Sequence, residues 1–156
     1  MSHRIRSAMV ALALLPATAV LASCSLFGPT GPPRGDDGQV TQSVVVPTTD
    51  LLTGDCFSFH EDYPEHERVT LTPCTDEHGY IVIAQGSLTE GAIADAGSLQ
   101  NAVSSNCAES FSVFKAAAVE GAKPTQEFLV SESTVEGETL MNYSCVATDG
   151  AISASE

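Results

Sequence analysis

Five cysteines divide this chain into one and four, and that division constrains the fold more than any other feature. Cys24 closes the run Leu21-Ala22-Ser23-Cys24 at the end of an apolar stretch, while Cys56, Cys74, Cys107 and Cys145 all lie beyond it. His3, Arg4 and Arg6 give a basic start, Ala8 to Leu14 is apolar, Pro16 bends the run, and Ala17 to Ala22 continues it. Such a run is short and small-residued beside the roughly 20 apolar residues of a membrane helix. It has the build of a cleaved export signal. Leu at the third place before a cysteine, with Ala and Ser between, spells a lipobox. An ordinary secretory signal would leave that spelling to chance. The expectation is cleavage before Cys24 and a diacylglyceryl thioether on its sulfur, with palmitate-type chains. That anchors the chain to the membrane on its extracytoplasmic face.

Removal of the first 23 of 156 residues leaves 133, room for one small domain and a tether. Pro, Gly, Ser and Thr crowd the chain from Ser25 to Thr53, including Gly28-Pro29, Gly31-Pro32-Pro33 and Arg34-Gly35-Asp36-Asp37-Gly38. Gly and Pro at this density disfavour helix and inner strand. The segment 24–52 is therefore expected to be a flexible tether with a reach of roughly 30 Å. Within it, Val44-Val45-Val46 has the composition of an edge strand. Arg34-Gly35-Asp36 spells an integrin-type tripeptide that three common residues produce by default. The foldable part is 53–149, followed by a tail, 150–156.

After the cut only Arg34, Arg68, Lys115 and Lys123 remain against twenty Asp and Glu, a formal charge of −16. Binding nucleic acid through phosphates needs clustered cations, so that class of partner is excluded. Attraction to anionic headgroups is excluded for the same reason. Spread acidity keeps a secreted domain soluble.

A small exported domain buries too little surface to be secure without help, and four cysteines in an oxidising setting predict two disulfides. Spacing alone leaves three pairings open; coarse structure narrows them. Asp55-Cys56-Phe57-Ser58-Phe59 reads as a strand, and Val69 and Leu71 alternate with Thr70 and Thr72 in a second that ends at Pro73-Cys74. The two make an antiparallel pair across the acidic loop His60 to Glu67. Tyr80-Ile81-Val82-Ile83-Ala84 is a continuous apolar run, as in a strand covered on both sides. Ser98 caps a helix over 98–115, in which Leu99, Ala102, Val103, Cys107, Phe111 and Phe114 form one stripe. On the last strand Met141, Tyr143, Cys145 and Ala147 share a face, bringing Cys145 to meet Cys107. The predicted pairs are Cys56–Cys74 and Cys107–Cys145. Gln85 to Gly97 and Ala116 to Gln126 read as connections, and Ser131 to Glu138 as an acidic turn region. The fold class is α+β: a small antiparallel sheet with one main helix packed on it.

Gly54-Asp55-Cys56-Phe57, Val69 through Cys74, His78, Cys107 with Phe111, Pro124 and Cys145 resemble the septum formation family domain. Its pattern runs Gly-Asp-Cys-Phe, an apolar strand ending in Cys, a His four residues on, and two further Cys. The resemblance spans about 53–147. It departs near Gly137, where the family carries a Trp and an Arg and this chain has no Trp at all. The resemblance implies an extracytoplasmic, noncatalytic domain of an actinobacterial envelope protein, linked to division or envelope assembly, with His78 first among its site residues.

Chemistry finds few footholds. His60, His66 and His78 stand among Glu61, Asp62, Glu65, Glu67, Asp76 and Glu77, and a metal-binding or sensing use of the His60–His78 segment is the alternative reading. Zinc needs three or four donors about 2 Å from one point, and the spacing matches no helical His pair. No calcium loop is spelled out. Ser58, Ser104 and Ser110 lack a nucleophile-elbow setting, and no Cys-x-x-Cys occurs. The residues thus point to an anchored, noncatalytic binding or structural domain without cofactor, whose partner is an envelope protein or a cell-wall component.

Overall fold

The computed structural model describes residues 31–60, 62 and 67–148. The signal, Cys24, His66 and the tail 150–156 lie outside them. Strands β1 (Val44–Pro47), β2 (Cys56–Phe59), β3 (Arg68–Thr72), β4 (Tyr80–Thr89), β5 (Gln126–Val135) and β6 (Glu138–Thr148) form one antiparallel sheet ordered β1-β3-β2-β4-β6-β5. Helices α1 (Glu90–Asp95) and α2 (Leu99–Ala117) join β4 to β5. The architecture is the expected α+β sheet with one main helix. Among the described residues, no helix is long and apolar enough to cross a membrane.

Residues paired across antiparallel strands share a face, so the registers divide the sheet into two cores. On one face Phe57 pairs with Leu71, Val46 with Val69, and Val82 with Val146. These side chains pack with Val40 and Leu51 from the N-terminal segment. On the other face Ala84 and Phe128 flank Cys145, Leu88 pairs with Met141, and Ala102, Val103 and Cys107 of α2 close over them. Ser98 caps α2 by accepting from the Asn101 amide at 3.1 Å. Both predicted disulfides are present, Cys56–Cys74 with Cα atoms 5.2 Å apart and Cys107–Cys145 at 5.5 Å.

Three expectations need correction. The stretch expected to be a tether folds from residue 31 onward: Val40, Val46 and Leu51 are buried, and Val44–Pro47 pairs along β3 as an edge strand. Three scattered apolar side chains, each landing in one core, outweigh the local preference of Gly and Pro. The apolar run of β4 meets a core on each face, as expected of a strand covered on both sides. A register shift between Val82 and Ala84 moves the strand's phase, so Val82 faces the first core while Ile83 and Ala84 face the second. The expected loop after Ala84 is strand as far as Thr89, whose hydroxyl then caps α1 by accepting from the Ala92 amide. The expected acidic turn, Ser131 to Glu138, is two strands joined at Glu136-Gly137, both with positive φ (54° and 87°). That is the backbone of a two-residue hairpin turn, which glycine adopts without a steric penalty.

Candidate functional site

Asp55 holds the N-terminal segment to the sheet. Its carboxylate is buried, accepts two hydrogen bonds from the Arg34 guanidinium, and accepts a third from the Leu52 amide at 2.8 Å. The Asp55 carbonyl also accepts from the Val82 amide, and Gly54 donates to the Val82 carbonyl, which extends β2 along β4. The hydrogen bond to Asp55 raises the Arg34 pKa above its ordinary value, and burial opposes the rise. Arg34 is therefore part of an internal ion pair, not a free recognition tripeptide. Nothing in its local sequence gives this away; the signal was Asp55, an acid inside a strand-forming run.

His78 sits buried between Cys74 and the start of β4. Its Nδ1 lies 2.8 Å from the Asp76 carbonyl, which can only accept, so Nδ1 donates there and the ring's other nitrogen is Nε2. That atom is buried and has no hydrogen-bond partner among the described residues. His60 follows β2 and approaches Asp62, with Nδ1 3.7 Å from the carboxylate. Among the described residues, no three His, Cys, Asp or Glu side chains gather where they could hold a metal ion. Cys24 and His66 fall outside the described residues.

A hollow that the sequence did not suggest lies on the far side of β4, β6 and β5 from α2. Its volume is about 480 Å³. Gln85 pairs with Ser144 and Ser87 with Asn142, while Leu129 and Ser131 extend the two rows onto β5. Thr48 and Thr49, in the short turn after β1, form a wall. The side chains of the floor bond to one another. Ser87 donates to Asn142 Oδ1 at 2.7 Å, and Asn142 Nδ2 donates to Ser133 Oγ at 2.8 Å. Gln85 Nε2 donates to both Ser144 Oγ and the Leu51 carbonyl, each at 2.9 Å. Alternation at Gln85-Gly86-Ser87-Leu88 and Leu129-Val130-Ser131-Glu132-Ser133 was the available signal.

At the start of β4, away from the hollow, Tyr80 stacks on Phe57 with ring centroids 5.4 Å apart. Burial, and then the nearby Glu127 charge, raise its pKa above the ordinary phenol value. No family model, no curated protein and no solved structure matches the chain, so the resemblance to the septum formation family rests on the residues that carry it.

Proposed function

We propose that the chain is a lipoprotein anchored through Cys24 to the extracytoplasmic face of the cell membrane, where its domain binds an envelope component without catalysing a reaction. The observation that carries this reading is the pair of disulfides behind a lipobox. Disulfides persist in oxidising compartments, and a thiol-reducing cytoplasm would strip a small domain of both. The absence of a nameable nucleophile or metal set in the sequence supports binding over turnover. A part in division or envelope assembly follows from the septum-family resemblance.

The test is growth with radiolabelled palmitate, comparing the native chain with Cys24→Ala. Label on the native chain alone, with the protein in the membrane fraction, is the expected result. An unlabelled protein that keeps its first 23 residues would overturn the anchor. Purified protein with free thiols at Cys56 or Cys107 would overturn the location.

A further inference from the structure

The sheet face opposite α2 changes character along its strands. On β6, Val146 is buried in the first core, and the next positions on that face are Ser144 and Asn142. On β4, Val82 gives way to Gln85 and Ser87; on β5, Leu129 gives way to Ser131 and Ser133. The N-terminal segment covers the apolar part and stops, so the hydroxyl and amide part forms the floor of the 480 Å³ hollow.

Two features separate this floor from an ordinary solvated sheet face. The first is charge. Asp and Glu number twenty in the sequence, yet the hollow is lined by one carboxylate, Glu132. Glu132 pairs with Met141, on the α2 side, so the floor itself carries no charge. With no cation to receive it, an anionic ligand meets only the repulsion of the surrounding acidity. A cationic ligand finds no carboxylate on the floor to pair with. A neutral polar ligand remains.

The second feature is hydrogen-bonding capacity. Gln85 spends both amide hydrogens, on Ser144 and Leu51, and keeps its carbonyl oxygen as an acceptor. Ser144 and Ser133 each accept a bond and keep a hydroxyl hydrogen to donate. Asn142 Oδ1 accepts from Ser87 and retains a second lone pair. The network fixes the rotamers and leaves donors and acceptors interleaved at the spacing of neighbouring strands. A ligand whose every group both donates and accepts satisfies such a floor.

We infer that the hollow is a binding site for a neutral, polyhydroxylated chain, that is, an uncharged glycan. This rests on the reading of the domain as an envelope-binding module and names the class of component it takes. Leu129 supplies an apolar strip beside the hydroxyls, suited to the C–H face of a sugar ring.

The full-length protein, purified in detergent, is titrated with neutral hexasaccharides (cellohexaose, mannohexaose and maltohexaose), with polygalacturonate as the anion and oligochitosan as the cation. Saturable binding of at least one neutral hexasaccharide is expected, weakened at least tenfold by Ser87→Val with Ser133→Val. Valine favours strand, and an unchanged melting temperature shows that the variant folds. Gln85→Leu, which removes the free acceptor, should weaken binding as well. The inference is overturned if no neutral sugar binds, if either polyelectrolyte binds as tightly, or if both variants bind like the native chain. Palmitate labelling reports separately on the anchor. Labelled protein that ignores sugars sinks this inference alone; unlabelled protein that binds them sinks the anchor alone.

Discussion

The half of the sheet built on β1, β3 and β2 has its sulfur bridge beside a full apolar core, whereas in the half built on β4, β6 and β5 the bridge is itself part of the core. Eight buried side chains make the first core, with Phe57, Leu51 and Leu71 among the largest; six come from β1, β2, β3 and the segment around them, and Val82 and Val146 come from β4 and β6. Five make the second; two of them are Cys107 and Cys145, and a third is Ala102. Each apolar side chain brought out of water contributes on the order of 2 kcal/mol, so the first half has a margin that the second lacks. The poorer half is also the one whose far face is hydroxyl-lined instead of apolar. A strand that presents polar groups on one side can bury only the other, and the disulfide compensates for that asymmetry.

Removing each bridge in turn tests this contrast most severely. Cys107→Ala with Cys145→Ala opens a sequence separation of 38, and Cys56→Ala with Cys74→Ala one of 18. Loop-closure entropy gives losses of about 4 and about 3 kcal/mol respectively. The first variant also empties two fully buried positions, so the measured gap should exceed the entropic one. Urea unfolding of both variants gives the two values. Equal losses would break the contrast.

The second test asks whether residues 31–53 belong to the well-packed half. Arg34→Met leaves the Asp55 carboxylate buried with the Leu52 amide as its remaining partner. Removing one member of a buried pair is strongly destabilising, and a loss of about 3 kcal/mol is expected because Arg34 keeps part of its surface in water. Asp55→Asn added to Arg34→Met should recover part of that loss. A tether residue would change stability by under about 0.5 kcal/mol.

What the sequence disclosed follows the same division. The disulfide pairs, the α2 stripe from Leu99 to Cys107 and the β2–β3 pair were legible because each is a local period with a cysteine at a fixed phase, while Phe111 and Phe114, expected to continue the stripe, belong to neither core. The N-terminal segment was not, since Val40, Val46 and Leu51 fit no single period and their burial is decided by a sheet that lies later in the chain. On β4 a one-residue bulge hid the strand's alternation, so Gln85 and Ser87 looked like the start of a loop. Glu136-Gly137 is a weaker turn signal than Asn-Gly, and it left β5 and β6 unread where they enclose the hollow. The polar floor was missed because alternation along each strand shows only part of it; the pairings that assemble it, Gln85 with Ser144 and Ser87 with Asn142, run across strands.

A smaller effect sharpens the account of the bridge-dependent half. Gly86 pairs with Tyr143, whose ring lies across it; a Cβ at Gly86 would stand 2.6 Å from the ring's Cζ. Gly86→Ala should therefore push Tyr143 out of the second core and cost about 1–3 kcal/mol. Gly86→Ala combined with Tyr143→Ala should cost less than the sum of the two single changes, because the clash is gone. Additive losses would show that the ring does not need the space.

The smallest effect sits on the seam between the halves. Tyr80 packs with Phe57 and Phe59 in the first core, while the Glu127 charge that acts on it comes from β5. Its folded-state pKa is raised, chiefly by burial and secondarily by Glu127, so the native state holds the phenol proton more tightly than the unfolded chain does. Stability from this group is fully present below the ordinary phenol pKa of about 10 and is lost as the pH climbs through the raised value. The Tyr80→Phe variant should unfold less readily than the native chain on the alkaline side and match its pH dependence near neutrality. Glu127→Gln lowers the folded-state value toward the unfolded one and should lessen the alkaline loss, but by less than Tyr80→Phe does, since burial is the larger cause. If Glu127→Gln had the greater effect, the charge reaching across from the second half, not packing within the first, would control the seam.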